Sequence, residues 1–341
     1  MPVGCECGKR RHGPLLREER AIAGPVSEGS EDRFRELRRE LSGLREAVPL
    51  APYCAYAVGG PAELLFEAAT TAELRHAIVA GHQSGVPVTI LGQATNVLIA
   101  DRGLPGLVVL ARNAEADVRK EMLTCGAGAV LSPVIAGLAE RGLAGLEFAG
   151  NIPGSVGGAV VGNAGAYGRA VGDALVTVEL LVGEQVRSVT PAELRLGYRT
   201  SALKQQPGAG LAAGELAGAC VLRATFVLSL GSRSALVAGI ARDAETRRSK
   251  HPLEYASCGS YFRNPSAERP AALFIEQAGL KGFRVGLAEV SRRHANFLVA
   301  LKGAQAADIL ALAEEVKRRV LEHSGVRLVE EVVHLGFVEE G

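Results

Sequence analysis

A chain of 341 residues with 38 Lys and Arg against 37 Asp and Glu has a net charge of +1, which gives no electrostatic reason to expect nucleic acid or an anionic membrane surface as a partner. Aromatic residues make up only 4% and tryptophan is absent, so a base-stacking platform is not expected, and no apolar run is long enough to span a bilayer. Apolar content of 48% with 22% charged residues fits a soluble globular protein with material for two or three domains.

Residues 1–30 mix Gly, Pro, Arg and Glu without periodicity, and no apolar segment follows the basic start; the expectation is a mobile leader rather than a secretory signal. The cysteines at 5, 7, 54, 125, 220 and 258 contain no CxxC and do not suggest a disulfide framework, so reduced thiols in a cytoplasm are expected. Cys5, Cys7 and His12 lack a fourth ligand at a familiar spacing, so no metal site is expected.

From Glu31 the spacing of Phe34, Leu37, Leu41 and Leu44 predicts a helix with Glu31 and Asp32 in its first turn. Val58-Gly59-Gly60-Pro61 marks a turn, and Leu64-Leu65-Phe66 reads as a short strand. Thr70 and Glu73 form a capping box for a helix ending near Gly85. Val86 to Leu91 predicts a strand that runs at once into Gly92-Gln93-Ala94-Thr95-Asn96, a loop placed where cofactor contacts are expected. Ser132-Pro133 predicts a helix start and Gly142 its stop.

Gly150 to Gly168 holds seven glycines in nineteen residues, a density that disfavours both helix and strand. Glycine permits positive φ and close approach to the backbone, so successive N–H groups can form a concave nest for an anion such as a pyrophosphate. Asn151, Ser155 and Asn163 add side-chain hydrogen bonds to that reading. Strands are predicted at Val176–Val182 and Cys220–Leu228. Helices are predicted at Ser234–Lys250, from about Pro270 with Gly279 as cap, and at Ala306–His323 with Gly325 as stop. Val326 to Leu335 reads as a final strand, within which only one of Glu330 and Glu331 can face a given side.

Four signatures carry chemistry. Arg199 in Gly197-Tyr198-Arg199-Thr200 offers a permanently charged fork for a carboxylate or phosphate. Ser260 in Cys258-Gly259-Ser260-Tyr261-Phe262-Arg263-Asn264-Pro265 can donate a proton, but no G-x-S-x-G elbow surrounds it, so a hydrolase is not indicated. The third runs from Glu276-Gln277-Ala278-Gly279 to His294-Ala295-Asn296-Phe297, with His294 expected to pack or cap rather than act as a base. Glu331 interrupts an apolar strand and needs a partner if buried.

In this order the segments resemble the UDP-N-acetylenolpyruvoylglucosamine reductase (MurB) family, over about Phe34 to Phe337. They are Val58-Gly59-Gly60-Pro61-Ala62, the glycine-rich run, Gly197-Tyr198-Arg199, Pro252-Leu253-Glu254-Tyr255 through Pro265, His294-Ala295-Asn296-Phe297, and Glu331-Val332-Val333-His334-Leu335-Gly336. The Ala-Asn-Phe form resembles the branch with the more compact substrate domain. Three positions depart from the family pattern. Its G-G-G-S-N loop stands here as Gly92-Gln93-Ala94-Thr95-Asn96, its N-T segment as Tyr53-Cys54-Ala55-Tyr56, and Gly162 replaces a larger residue.

The resemblance implies an α+β fold: an FAD-binding domain of the vanillyl-alcohol-oxidase (PCMH) type over 31–228, a smaller α/β substrate-binding domain over 229–326, and a C-terminal strand over 327–341 returning to the active site. It implies a cytoplasmic flavoprotein of peptidoglycan synthesis, in which NADPH reduces FAD and the enolpyruvyl ether of UDP-N-acetylglucosamine is then reduced. Implied catalytic residues are Arg199, Ser260 and Glu331. Implied FAD contacts are Gly92, Gln93, Ala94, Thr95, Asn96, Gly150, Asn151, Ile152, Gly154, Ser155, Gly157, Gly158, Asn163, Gly165, Ala166 and Tyr167. Tyr198, Asn264 and Gln277 are implied substrate contacts. Two alternatives remain at this point: another FAD-dependent oxidoreductase on the same fold, or a non-enzymatic UDP-sugar-binding relic.

Overall fold

The computed structural model describes residues 28–204 and 216–337; Cys5, Cys7 and His12 and most of the expected leader lie outside the described residues. The first helix begins at Glu28 and runs to Glu40, burying Phe34, Leu37 and Leu41 as their spacing requires.

A four-stranded sheet follows, in the order Arg45–Pro49, Pro61–Ala68, Leu104–Ala111, Val88–Leu91. The first pair is antiparallel and the other two are parallel. Its centre is apolar on both faces: Leu64, Leu65, Leu107, Val108, Val109 and Leu110 are completely buried. The helix Thr71–Gln83 covers one face and starts on the expected capping box. The Thr70 hydroxyl accepts from Glu73 N at 3.1 Å, and the Glu73 carboxylate accepts from Thr70 N at 3.2 Å.

A second, antiparallel sheet has the order Gln185–Val189, Leu175–Val182, Cys220–Val227, Met122–Gly126, Ala116–Arg119. Asn113 joins the two sheets. Fully buried, it donates to the Leu222 carbonyl and the Thr71 hydroxyl, both at 3.0 Å, and accepts from Gly128 N at 2.9 Å. Asn113→Ala strands a buried carbonyl and a buried N–H, each costing about 1–3 kcal/mol. A drop in thermal midpoint of several degrees is expected by calorimetry.

The third layer is built from the three-stranded antiparallel sheet Arg284–Val285, Ala288–Val290, Leu298–Ala300 with the helices Ala271–Gln277 and Ala306–Ser324. Ile309, Leu312, Val316 and Val320 form the buried stripe of the longer helix, which Gly325 ends in the left-handed conformation. The helix Arg233–Lys250 lies instead on the second sheet's side, with Ile240 against that core and Arg233 paired with Glu140.

Three local expectations are corrected. Ser132 does not cap the helix Leu131–Glu140; Val130 is the cap residue, and the Ser132 hydroxyl donates to the Ile152 carbonyl. The glycine-rich run contains a helix after all, Val156–Gly162. Ser155 caps it, and packing demands its glycine: a β-carbon at Gly157 would lie 2.8 Å from Ala127 Cβ. The final strand is only Val333–Leu335, in parallel with Val97–Ile99, while Glu330 makes an isolated bridge to Phe262. The backbone there is shared between two partners, so no continuous ladder forms.

Candidate active site

The loops that leave these layers enclose one cavity of about 700 Å³. Two contacts between the loop after Leu91 and the glycine-rich run shape its floor. Thr95 Oγ1 donates to the Pro153 carbonyl at 3.2 Å, and a β-carbon at Gly92 would fall 2.1 Å from Ser155 Oγ. Glycine at 92 leaves room for the Ser155 hydroxyl to sit against the loop. Ala94, where the family pattern has glycine, takes φ of 45°, so its backbone keeps a conformation that glycine adopts freely.

Gly92, Gln93, Ala94, Thr95, Asn96, Ile152, Gly154, Ser155, Gly157, Gly158, Gly165 and Ala166 all line the cavity. Gly150 and Asn151 line an adjoining cavity of about 370 Å³. Asn163 and Tyr167 line neither. Asn163 adopts the left-handed conformation at the helix end and brackets two loops, donating to the Gly197 carbonyl at 3.0 Å and accepting from Gly172 N at 3.1 Å. Tyr167 is exposed.

Arg199, Ser260 and Glu331, separated by up to 132 positions in the chain, line the same cavity. Arg199 Nε lies 2.9 Å from Glu331 Oε1, and its Nη2 donates to the Gly165 carbonyl at 2.8 Å. The alternation expected of the acidic pair holds: Glu331 faces Arg199 while Glu330 pairs with Lys317 at 2.6 Å. Burial pushes the Glu331 carboxyl above its ordinary range; Arg199, Lys204 and Arg263 pull it back.

Ser260 is placed by its neighbours. Tyr261 N donates to the Asn296 carbonyl at 2.8 Å, and the buried Asn296 amide grips Phe262 from both sides, accepting from its N–H at 3.0 Å and donating to its carbonyl at 2.8 Å. The opposite edge is held by Glu331 N donating to the Tyr261 carbonyl at 2.8 Å, and Asn96 ties the same segment by donating to the Glu331 carbonyl at 3.0 Å. The serine and the glutamate therefore sit on adjacent backbones.

Tyr198 is half out in solvent with Arg199 against its ring, and lines the cavity. Asn264 lines it too, while its side-chain Oδ1 accepts from Ala271 N at 3.1 Å at the start of a helix. Gln277 is exposed at the end of Ala271–Gln277 and lines neither cavity. His294 packs its ring against His251 and Phe297, as expected of a structural histidine.

Sequence reasoning passed over Lys204 and His251, both of which line the cavity. No motif singles them out. His251 Nδ1 is buried without a hydrogen-bond partner among the described residues, and burial, with the charge of Arg247, pushes its pKa down to about 4. A neutral imidazole nitrogen with its hydrogen bond unmade calls for a polar ligand atom. That orphan and the glycine cradle at 92 and 154–158 fit a large polar aromatic group with phosphates, as FAD is.

Comparison with known proteins follows the same lines. Residues 62–185 match an FAD-binding domain, and residues 251–335 match the C-terminal domain of UDP-N-acetylenolpyruvoylglucosamine reductase. The chain is 44% identical over 303 residues to the UDP-N-acetylenolpyruvoylglucosamine reductase of Rubrobacter xylanophilus, covering 88% of this chain and 98% of that one. It is 40% identical over 305 residues to that of a Synechococcus strain, covering 88% and 94%. The crystal structure of the Thermus caldophilus reductase superposes with a TM-score of 0.70 at 32% identity, covering 86% of this chain and 99% of that one. Among the described residues no helix is long and apolar enough to cross a membrane, and no cluster of metal-ligating side chains occurs.

Proposed function

The chain belongs to the UDP-N-acetylenolpyruvoylglucosamine reductase family, FAD-containing oxidoreductases of peptidoglycan precursor synthesis, and on that premise we propose how its own residues divide the work. Its α+β fold carries an FAD-binding domain of the vanillyl-alcohol-oxidase type. The reaction is the NADPH-dependent reduction of the enolpyruvyl ether of UDP-N-acetylglucosamine to UDP-N-acetylmuramate. The chemistry supplied by bound FAD is hydride transfer, from NADPH to the terminal vinyl carbon.

In this reading the loops 92–96 and 152–166 hold the flavin nucleotide, and the residues around Arg199, Ser260 and Glu331 handle the enolpyruvyl acid. Arg199 takes the substrate carboxylate and stabilises the negative charge that spreads into it, a donor fixed in advance by its bonds to Glu331 and Gly165. Ser260 gives its proton to the carbon next to the carboxylate; a hydroxyl is a weak acid, but that carbon is a strong base. Glu331 orients the guanidinium. Tyr198 and Asn264 line the same cavity and contact the substrate beyond its reacting end, whereas Gln277 is left out of this set because it lines neither cavity. A domain division in which the helix Arg233–Lys250, expected after a boundary at 228, stays with the second sheet's core, a substrate-binding part ending at 326, a C-terminal segment delivering Glu331, and a cytoplasmic location belong to the same proposal.

The single observation that supports it is the convergence of Arg199, Ser260 and Glu331 on one cavity floored by the glycine loops. Purified protein is expected to be yellow, to bleach on adding NADPH, and to recover its colour on adding the enolpyruvyl nucleotide under anaerobic conditions. Colourless protein that cannot be loaded with FAD would sink the reading, as would bleached flavin that the nucleotide leaves reduced.

A further inference from the structure

Arg199 holds φ of 56°, in the left-handed region that side chains with a β-carbon rarely adopt. Such a residue stays there only where its surroundings over-determine it. Two devices do so. Gly197 and Thr200 exchange N–H···O bonds of 3.0 and 3.3 Å across the turn, and Lys204 Nζ donates to the Arg199 carbonyl at 2.8 Å. The guanidinium leaves this turn toward the Gly165 carbonyl and Glu331.

Lys204 is half-buried and lines the cavity. Arg199 pairs directly with Glu331, and the charges of Lys204 and Arg263 act on the same carboxylate. Burying an ammonium beside two guanidiniums is costly unless anions share the site. Glu331 is one such anion, and the substrate carboxylate is the second.

We propose that Lys204 is a positioning residue for the reduction: its ammonium locks the Arg199 carbonyl into the left-handed turn and keeps a second cation beside Glu331, leaving the guanidinium ready for the substrate carboxylate. The inference rests on the roles given above to Arg199 and Glu331.

The test compares K204M and K204R holoenzymes with the parent, following flavin reduction by NADPH and then reoxidation by the enolpyruvyl nucleotide across pH. K204M is expected to leave reduction by NADPH unchanged and to slow reoxidation by about tenfold to a hundredfold, the scale of a misplaced reactive group. Loss of the ammonium favours protonated Glu331, so the acid limb of kcat/KM for reoxidation moves to higher pH. K204R restores the charge and returns the limb to its parental position. Should K204M fail to retain flavin, K204Q replaces it in the same comparison. Parental rate and limb in the neutral variant, or one limb position shared by the neutral variant and K204R, would overturn the inference. An R199M variant with parental reoxidation would overturn the underlying reading instead; R199M crippled with K204M unchanged would overturn only the role of Lys204.

Discussion

Ser260→Ala is expected to leave flavin reduction by NADPH at its parental rate and to slow reoxidation by the enolpyruvyl nucleotide by about 10²–10⁴-fold, the range general-acid catalysis supplies. The large value follows from the engagement of the two groups near Ser260 in sequence, Cys258 and Tyr261, with other partners. Cys258 also lines the cavity, but its sulfur is engaged elsewhere, donating to the Val97 carbonyl at 3.3 Å. Tyr261 is fully buried, its hydroxyl is paired with His334 Nε2 at 2.8 Å, and burial raises its pKa as well. Stopped-flow comparison of the two half-reactions is decisive: equal slowing of both would remove the proton-donor role.

Arg199→Met is expected to cost about 10²–10³-fold in reoxidation, as removal of one preorganised donor to a developing anion does. Arg199→Lys is expected to rescue little, because one ammonium cannot reproduce the planar fork that reaches both Glu331 and the Gly165 carbonyl. Stability should respond as well. Glu331 already has its carboxyl pushed above the ordinary value of 4.5, and Arg199 is the largest of the influences that pull it back. Without Arg199 the folded-state pKa rises further. A group raised on folding favours the fold most below its unfolded pKa, and that advantage is lost as pH rises through the folded value. The thermal midpoint of Arg199→Met should therefore approach that of the parent in acid and fall away from it toward neutral pH. A constant gap across pH would show that Glu331 is not coupled to Arg199. Glu331→Gln combined with Arg199→Met should cost little more than Arg199→Met alone, since the two act as one unit.

The helices that bury a single stripe were legible from spacing: Phe34, Leu37 and Leu41 at one end of the chain, Ile309, Leu312, Val316 and Val320 at the other. So was the capping box at Thr70 and Glu73, because both partners lie within one turn. Segments whose conformation depends on distant neighbours were misread. Val156–Gly162 is helical because Ser155 caps its first turn and the Ala129 and Ala127 carbonyls accept from Val156 N and Gly157 N at 2.9 and 2.8 Å, which outweighs the cost of its glycines. The stretch before Val333 is apolar enough for a strand, yet its hydrogen bonds are divided between Tyr261 and Asn96.

What the chain's order of residues determined by itself was local: periodicity, caps, the glycine density around 150–168, and motifs ordered closely enough to carry a family resemblance. What only the tertiary structure decided was which charges meet. Arg199 and Glu331 are 132 positions apart and lie 2.9 Å apart in space. Lys204, which no sequence motif marks, becomes a member of the site through one hydrogen bond to the carbonyl of a left-handed residue. The reason is physical: propensity and periodicity act over a few residues, whereas the ionisation and aim of a buried side chain are set by whatever the fold brings within a few ångströms of it.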